Sequence, residues 1–309
     1  MITTVTLNAS IDKAYWMDET MQYGKVMRVA SCRNSAGGKG LNVARIIKLC
    51  GEEVQATGLV GGYNGAYLED LLSKDGIPHQ FEHIQGETRC CINILDKTYG
   101  STEYLEPGCE VTDEEEQKFI HLFDRIIDES EVITISGSIP KGLKPDIYER
   151  MIRQVKSKGK KVILDTSGKL LKNGIQACPT MVKPNKDEIE QLYNKQMKSM
   201  HDVIECAKDL HYRGIPYVVI SLGSEGALMV CDQGVYHVKP PKIEVVNTVG
   251  CGDSMIGALA VSLKRNDSPK MALKYAAAVA AANALSPNTG DFEPQNCRKI
   301  MELVKVNEL

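Results

Sequence analysis

The sequence predicts an α/β protein: a mostly parallel central sheet with helices on both faces, plus a small β-sheet lid. Two observations lead to this prediction. Short β-branched runs alternate with longer amphipathic stretches along most of the chain, and residues 9–35 and 88–106 break the alternation with paired strand-like sequence. A chain of 309 residues suits one large domain with an appended element. We therefore expect a single domain over residues 1–309, to which 9–35 and 88–106 contribute the lid.

The alternating part of the chain predicts six strands and six helices, because β-branched runs favour buried strands and amphipathic stretches favour helices. The predicted strands are Ile2 to Leu7, Val54 to Val60, Val132 to Ser136, Lys161 to Asp165, Thr180 to Lys183 and Tyr217 to Ser221. The predicted helices lie near residues 39–50, 64–75, 113–128, 145–158, 186–193 and 200–213. Ligands of such sheets bind at the carboxyl ends of the strands.

The two regions without helices have two interpretations. Paired strands there can form a small second sheet that covers the ligand edge of the main sheet as a lid, or they can be an antiparallel margin of the main sheet. A lid would expose an apolar face in a monomer, so we expect a homodimer formed through the lid. Further along the chain, the alanine-rich stretch from Ala272 to Leu285 predicts a closely packed helix.

Composition excludes several classes of protein. The chain has 37 Lys plus Arg against 40 Asp plus Glu, a net charge of −3 that gives no basic field for nucleic acid. It contains no run of about 18 apolar residues and begins with a strand-like pattern, so we expect no membrane span and no signal peptide. The ten cysteines form no CxxC pair and have no histidines at metal-ligand spacing. They are typical of buried thiols in a reducing cytosol, and we predict a cytoplasmic protein.

The most informative stretch covers residues 247–255, Asn-Thr-Val-Gly-Cys-Gly-Asp-Ser-Met. Residues 242–246 before it alternate polar and β-branched residues as a strand does, and the sequence after it is helix-compatible as far as Leu263. Gly250 and Gly252 therefore bracket a predicted helix start. Free N–H groups and the positive end of the helix dipole make such a turn a binding place for phosphate.

Asp253 indicates a chemical function for this turn, because a carboxylate at an anion site repels the ligand unless it takes part in the chemistry. We interpret it as the acceptor of a proton from a substrate hydroxyl that attacks a γ-phosphoryl group. The amides of Gly250, Cys251 and Gly252 would stabilise the transferring charge. The alternative is that Asp253 only caps the helix.

A second glycine cluster, Ala36-Gly-Gly-Lys-Gly-Leu-Asn-Val-Ala-Arg45, opens the first predicted helix. Lys39 adds a positive charge to a helix N-terminus, which suits a substrate phosphate, and Asn42 offers a donor and an acceptor for sugar hydroxyls.

Taken together, the two glycine segments resemble the two signature regions of the ribokinase-like (pfkB) carbohydrate kinase family, over essentially the whole chain. Within the family the chain is most similar to the branch that contains 1-phosphofructokinase and tagatose-6-phosphate kinase. The segments that support this branch are 6–13, 36–45, 86–93, 136–142, 183–188 and 221–226.

The resemblance implies a two-part site. Asp12 would accept hydrogen bonds from sugar hydroxyls, Arg89 with Lys39 would hold the substrate's own phosphate, and Glu188 would place Mg²⁺, through water, beside ATP. Simpler readings are a turn acid for Asp12, an exposed lid residue for Arg89 and a first-turn helix acid for Glu188. The implied substrate-binding set is Asp12, Gly37, Gly38, Lys39, Asn42, Arg89 and Ser138. The implied ATP-binding set is Lys183, Asn185, Glu188, Ser221, Gly223, Gly226 and Asn283, the last of these on the adenine side.

Two positions depart from the family pattern. Ala9 stands where related sequences usually have Pro, and Cys251 stands where they usually have Ala or Ser. The amide of Cys251 is kept, so phosphate stabilisation should survive. The helix N-terminus is expected to lower the pKa of this thiol and make it reactive, so that oxidation or alkylation blocks the use of ATP.

The predicted function is ATP-dependent, Mg²⁺-assisted phosphorylation of a ketohexose phosphate, either tagatose 6-phosphate or fructose 1-phosphate, to the bisphosphate. A 6-phosphofructokinase, or another sugar kinase of the same family, is the alternative within the class. A non-catalytic sensor of sugar phosphate or nucleotide is the alternative from another class. The expected partner is a small sugar phosphate, with no nucleic acid and no membrane.

Overall fold

The computed structural model describes every residue from Met1 to Leu309, arranged around two β-sheets. The strands are β1 (Ile2–Thr6), β2 (Ser10–Trp16), β3 (Ser31–Gly37), β4 (Val54–Gly61), β5 (His79–Ile84), β6 (Arg89–Asp96), β7 (Gly100–Leu105), β8 (Val132–Ser136), β9 (Lys161–Asp165), β10 (Met181–Val182), β11 (Tyr217–Ser221), β12 (Ala227–Cys231), β13 (Gly234–Lys239) and β14 (Lys305–Glu308). The helices are α1 (Lys39–Leu49), α2 (Gly62–Lys74), α3 (Asp113–Glu129), α4 (Ile147–Ser157), α5 (Gly168–Gly174), α6 (Lys186–Tyr193), α7 (Met200–Tyr212), α8 (Cys251–Arg265), α9 (Pro269–Ala284) and α10 (Pro294–Leu303). None of these helices is long and apolar enough to cross a membrane.

The main sheet has ten strands in the order β14-β13-β12-β11-β10-β9-β8-β1-β4-β5. From β5 to β11 the neighbouring strands run parallel, and β12, β13 and β14 extend this sheet as antiparallel strands. All six strands and all six helices predicted for the alternating part are present, three of the strands with the predicted bounds. The prediction of a mostly parallel sheet is therefore confirmed.

One predicted strand is absent. Residues 242–246 form a loop, and the backbone N–H groups of Val246 and Asn247 both donate to the carbonyl of Ala284 at the end of α9. Pro240 and Pro241 precede the loop and have no N–H to offer a ladder. The alternating pattern was therefore misleading, because this segment bonds to a helix end and not to a strand.

The second sheet has four strands in the order β3-β2-β6-β7, so residues 9–35 and 88–106 form a sheet of their own and the reading as a margin of the main sheet is wrong. Strand β2 lies at its centre, antiparallel to β3 and parallel to β6. In this register Asp12 is opposite Ser35 on one side and Cys91 on the other. The sheet covers one edge of the main sheet and forms the predicted lid.

Helices cover both faces of the main sheet. One core contains side chains of α1, α2, α8, α9 and α10, and the other contains side chains of α3 to α7. On the first face, α8 packs tightly on α1, because a Cβ added to Gly257 would lie only 2.6 Å from Ile46 Cγ2. The alanine-rich helix predicted at 272–285 is α9, whose small buried side chains pack beside α8. This packing places the N-terminal ends of α1 and α8 side by side.

Candidate active site

Two helix starts border one cleft beneath the lid. Helix α1 begins after Gly38 and α8 begins after Gly250, and these glycines have φ angles of 103° and 83°. A Cβ would lie 2.8 Å from Thr6 Cγ2 at the first glycine and 2.8 Å from Thr289 Cγ2 at the second. Glycine alone fits both positions without strain. The cleft therefore has two helix N-termini at its wall, an arrangement that favours anions.

The cleft has a volume of about 890 Å³ and is bounded by the lid, α1, α8 and the loop that follows α9. It brings together residues from distant parts of the sequence, as the two glycine segments predicted. The predicted residues that line it are Asp12, Gly38, Lys39, Asn42, Arg89, Gly250, Gly252 and Asp253.

Asp253 lies in the first turn of α8 with only 7% of its surface exposed. Burial raises the pKa of its carboxyl to about 6, against the opposing effects of Lys39, of a hydrogen bond from Asn42 and of Lys183. The bond from Asn42 Nδ2 to Asp253 Oδ2 measures 2.7 Å. The N-cap is Gly250 and Asp253 makes no capping bond, so the interpretation of Asp253 as a helix cap is wrong. Its carboxylate has the burial and the pKa of a general base that works near neutral pH.

Asp165, which the sequence did not single out, joins two lysines of the site. Lys39 Nζ lies 3.4 Å from Asp165 Oδ2, and Lys183 Nζ lies 3.3 Å from Asp165 Oδ1. Burial opposes the charge of Asp165, but the two lysines outweigh it and lower the pKa of the carboxyl. A signal was present, because Asp165 ends a predicted parallel strand, where ligand sites occur. The ammonium of Lys183 also lies 3.7 Å from where a Cβ of Gly252 would be, beside the start of α8.

Asp12 lies on the lid strand β2 and lines the cleft, with its carboxyl group next to the backbone of Gly37. A Cβ on Gly37 would lie 2.0 Å from Asp12 Oδ1, so the carboxyl group fills the space that the glycine leaves. Ser10 Oγ donates to Asp12 Oδ1 at 2.6 Å, and burial raises the pKa of the Asp12 carboxyl. This carboxyl group has a fixed place facing the cleft, where it can accept hydrogen bonds from hydroxyl groups.

Arg89 joins the lid to the main sheet. Its Nη2 donates to the carbonyl of Asn8 at 3.0 Å and its Nη1 to the carbonyl of Glu106 at 2.8 Å. Each terminal nitrogen therefore keeps a second N–H for a ligand in the cleft. Ser138 lies outside the cleft lining and accepts a hydrogen bond from Asn8 Nδ2 at 3.1 Å. The structure thus places Arg89 at the cleft and Ser138 behind Asn8.

Six of the seven residues predicted to bind ATP lie at or just beyond the carboxyl ends of β10 and β11, outside the lining of the cleft; the seventh is Asn283. Asn185 and Glu188 form a capping box at the start of α6, with reciprocal hydrogen bonds of 2.8 Å. Ser221 pairs with Asn185 in an isolated bridge, and Gly223 and Gly226 form the next turn with φ angles of 60° and 90°. Glu188 is thus a first-turn helix acid, and its Oε1 takes no part in the capping box.

Asn283 has a different place from the one that the resemblance implied. It is fully buried in α9; its Nδ2 donates to the carbonyl of Val249, and its Oδ1 accepts from the N–H groups of Gly290 and Asp291. Because both ends of this amide form hydrogen bonds within the protein, neither is available to bind an adenine ring. Asn283 instead clamps the loop before α8 to the loop after α9.

The thiol of Cys251 also differs from the expectation. Burial raises its pKa, and Asn283 Nδ2 lies 3.5 Å from Cys251 Sγ. The expected lowering of the pKa is therefore wrong, because burial and the nearby charge of Asp253 raise it more than the contact with Asn283 lowers it. Cys251 contributes its backbone to the turn at the start of α8, and its thiol stays protonated at neutral pH.

The chain matches the model of the pfkB family of carbohydrate kinases over residues 5–296. It is 29% identical to a Staphylococcus aureus protein provisionally named a phosphofructokinase, with 100% of this chain and 99% of that chain covered and a TM-score of 0.86. It is 29% identical to Escherichia coli phosphofructokinase-2 in complex with substrates and products, with 98% of each chain covered and a TM-score of 0.90. It is 25% identical to a Thermotoga maritima protein provisionally named a 1-phosphofructokinase, with 100% and 99% covered and a TM-score of 0.88.

The family match spans nearly the whole chain, and the similar structures superpose over its full length. The fold is the ribokinase-like one that the glycine segments indicated, and the site combines a buried carboxylate with two helix N-termini. The chain therefore belongs to the pfkB family and is an ATP-dependent, phosphofructokinase-like carbohydrate kinase.

Proposed function

We propose that this kinase transfers the γ-phosphoryl group of ATP to the free primary hydroxyl of a ketohexose phosphate, either tagatose 6-phosphate or fructose 1-phosphate, to give the bisphosphate. The observation that carries the proposal is the buried carboxyl of Asp253, with its pKa of about 6, beneath a lid that brings Asp12 and Arg89 to the same cleft. Lys39 adds a cation from α1. The proposed base Asp253, the carboxyl group of Asp12 and the cations Arg89 and Lys39 thus surround a space large enough for a sugar phosphate.

In the proposed reaction Asp253 takes the proton of the sugar hydroxyl, the freed oxygen forms a bond to the γ-phosphorus, and the bond from that phosphorus to the β,γ-bridging oxygen breaks to release ADP. The amides of Gly250, Cys251 and Gly252 stabilise the negative charge on the transferring group. Lys183, with its ammonium beside Gly252, adds positive charge at the same helix start. Exclusion of water by the lid limits wasteful hydrolysis of ATP.

The other end of the substrate is assigned to the lid side of the cleft. Asp12 and Asn42 bind sugar hydroxyls, while Lys39 and the spare N–H groups of Arg89 hold the phosphate that is already present. The side chain of Lys39 is 42% exposed, so its ammonium can contact a ligand while it stays near Asp165. Gly38 contributes backbone to the cleft lining, and Gly37 makes room for the carboxyl group of Asp12. Ser138 acts indirectly, through its hydrogen bond with Asn8.

ATP is assigned to the carboxyl ends of β10 and β11, along the residues 183–188 and 221–226. No group of three or more acidic, histidine or cysteine side chains gathers there to enclose a metal ion, which fits a Mg²⁺ ion held mainly by the nucleotide phosphates and water. Glu188 would reach the ion through water with its second carboxyl oxygen. When bound, Mg²⁺ neutralises charge on the phosphates.

We also propose that the chain functions as one kinase domain and forms a homodimer through the lid. Strand β7 exposes 55% of Tyr104 on the face opposite its neighbour Leu105, which lines the cleft, and exposed apolar surface on a sheet is often covered by a partner. A tetrameric inhibited form of Escherichia coli phosphofructokinase-2 shows that a similar chain assembles.

Fructose 6-phosphate is the second candidate substrate. It is favoured by the structure of Escherichia coli phosphofructokinase-2 in complex with fructose 6-phosphate, which is 28% identical and has a TM-score of 0.88. A phosphate at either end of a ketohexose can meet Lys39 and Arg89, so the identity of the sugar needs a direct measurement.

The test is release of ADP with Mg-ATP in the presence of tagatose 6-phosphate, fructose 1-phosphate, fructose 6-phosphate or unphosphorylated fructose. We expect kcat/KM for one of the first two to exceed the others clearly, and a variant Lys39→Met to lose that preference. Highest kcat/KM with fructose 6-phosphate would select the second candidate. Highest kcat/KM with unphosphorylated fructose would contradict the phosphate clamp, and no turnover with any of them would contradict the proposal.

A further inference from the structure

Arg45 is a cation of the cleft wall that has no ion-pair partner. It lies on α1, one turn beyond Asn42, and its guanidinium forms no salt bridge with any carboxylate of the chain. Its Nη1 donates to the carbonyl of Ala36 at 2.6 Å, and its Nη2 donates to Asn42 Oδ1. Burial lowers the pKa of this guanidinium, and the carboxylates of Asp75, Asp12 and Asp253 offset that effect only in part, none of them through a salt bridge.

The hydrogen bonds of Asn42 form a chain from Arg45 to Asp253. Its Oδ1 accepts from the guanidinium and its Nδ2 donates to Asp253 Oδ2 at 2.7 Å. A guanidinium can only donate and an ionised carboxylate can only accept. The amide therefore has a single compatible orientation, because a flip would set two donors against each other at Arg45 and two acceptors against each other at Asp253.

We infer that Arg45 is a positioning residue for the proposed base: it holds the Asn42 amide in the orientation that donates to Asp253. This inference rests on the proposed function of Asp253 as the base. The bond to Ala36 at the end of β3 fixes the guanidinium, the guanidinium fixes the amide, and the amide occupies one carboxylate oxygen. Asp253 Oδ1 is left for the proton of the substrate hydroxyl.

The inference predicts a change in the titration of Asp253. The groups that act on its carboxyl are Lys39 and Asn42 from α1, Asp165 from β9 and Lys183 from the segment after β10. Without Arg45 the Asn42 amide can turn its oxygen to Asp253, and an oxygen acceptor favours the protonated carboxyl. The pKa of Asp253 should therefore rise in Arg45→Met while the other groups stay in place.

The first experiment follows the pKa directly in the unliganded enzyme, by ¹³C NMR with labelled aspartate; the resonance that disappears in Asp253→Asn identifies the residue. We expect Arg45→Met to raise the pKa of Asp253 by about one unit, which is within the range that one hydrogen bond and one nearby charge produce. Arg45→Lys keeps a donor and should stay close to the wild type. Lys48→Met removes another α1 cation, one that donates to the carbonyl of Gly76, and should change nothing.

The second experiment is a double-mutant cycle on turnover. Arg45→Met should lower kcat about 10-fold to 100-fold, a part of what a general base contributes, and should move the acid limb of the pH profile upward. If Arg45 acts through Asn42, Arg45→Met should add almost nothing in an Asn42→Ala background. Additive losses in folded variants would overturn the inference.

The two experiments separate this inference from the proposed function. Should no sugar phosphate be turned over, the proposed function fails, and the NMR titration still decides the role of Arg45. If the pKa of Asp253 is unchanged in Arg45→Met, the inference is wrong even where the wild type phosphorylates a ketohexose phosphate as proposed. Thermal unfolding of each variant shows whether it is folded at the temperature of measurement.

Discussion

At the scale of single residues, ionisation of Asp253 has opposite effects on the stability of the protein and on its proposed activity. Burial gives its carboxyl a pKa of about 6 in the folded protein, against 3.8 for an ordinary Asp. A carboxyl whose pKa is raised on folding stabilises the protein while it is protonated and loses that contribution as the pH rises through the folded pKa. The ionised, active form is therefore the less stable one, and the change falls between about pH 4 and pH 6.

Asp253→Asn should accordingly stabilise the protein above pH 6. The shift from 3.8 to about 6 sets an upper limit of roughly 3 kcal/mol on the gain in the free energy of unfolding. Urea unfolding at pH 8 and at pH 5 measures it, and the gain should shrink at the lower pH. Equal stability of variant and wild type at pH 8 would contradict the raised pKa.

The same substitution should lower kcat by about two to four orders of magnitude, the usual contribution of a general base. In the wild type, kcat/KM should fall on the acid side of about pH 6, where Asp253 becomes protonated, and should level off above it. Steady-state kinetics from pH 5 to pH 8 measure both effects. A variant with near-normal turnover would show that the base lies elsewhere.

Gly37 is a further residue-scale test, because its missing side chain makes room for Asp12. In Gly37→Ala the new Cβ would overlap the carboxyl group of Asp12, which can swing away at little cost to folding. We expect the KM for the sugar substrate to rise while the KM for ATP and the temperature of unfolding change little. Asp12→Asn is the matched control and should show the same selective effect. An unchanged sugar KM would remove Asp12 from the substrate site.

Sequence motifs predicted several residues of the site, but not those residues whose role depends on contacts formed only in the folded protein. Asp253, Lys39 and Asn42 stand in glycine segments, and they could be predicted to meet in one site. Asp165 stands in no motif, and its partner Lys39 is 126 residues away. Arg45 ends the second glycine cluster, but its role depends on a contact with Asn42 across one helix turn, which the sequence does not show. The wrong role predicted for Asn283 has the same origin, since its partners lie in the loop before α8, at Cys251 of α8 and in the loop after α9.

At the scale of elements, the site depends on the contact between α1 and α8. In Gly257→Ala the new Cβ would lie 2.6 Å from Ile46 Cγ2 and push the helices apart. Overpacking of this kind costs about 1–3 kcal/mol and should also strain the bond from Asn42 to Asp253. Urea unfolding and kcat measure the two effects. Ile46→Ala in the same chain should restore part of kcat, and no restoration would place the defect elsewhere.

Elements were predicted well where the signal is local. The parallel strands are buried on both faces and read as continuous β-branched runs, such as Val132 to Ser136. Strand β14 was not predicted, because it pairs with β13 from residues 305–308, far away in the sequence. Strands β12 and β13 form a hairpin with a turn at 232–233, a local signal that the sequence analysis missed. The loop at 242–246 was predicted as a strand because its alternation is local while its hydrogen-bond partner is not.

At the scale of the whole molecule, the lid is both the cover of the site and the proposed interface. Light scattering should give twice the 34.0 kDa of one chain. Tyr104→Glu should yield monomers, because a charge placed on the apolar strand surface opposes its burial. Tyr212→Glu changes a tyrosine that is 80% exposed on α7 and should leave the dimer intact. A monomeric wild type would contradict the proposed assembly.

The two glycines that start α1 and α8 also bear on drug resistance. A competitive inhibitor that takes its hydrogen bonds from the backbone amides there would contact no side chain that mutation could exchange. Substitution at Gly38 or Gly250 would force a Cβ against Thr6 or Thr289 in a backbone conformation that side chains rarely adopt. An inhibitor anchored on these amides would leave the enzyme few routes of escape that preserve its own activity.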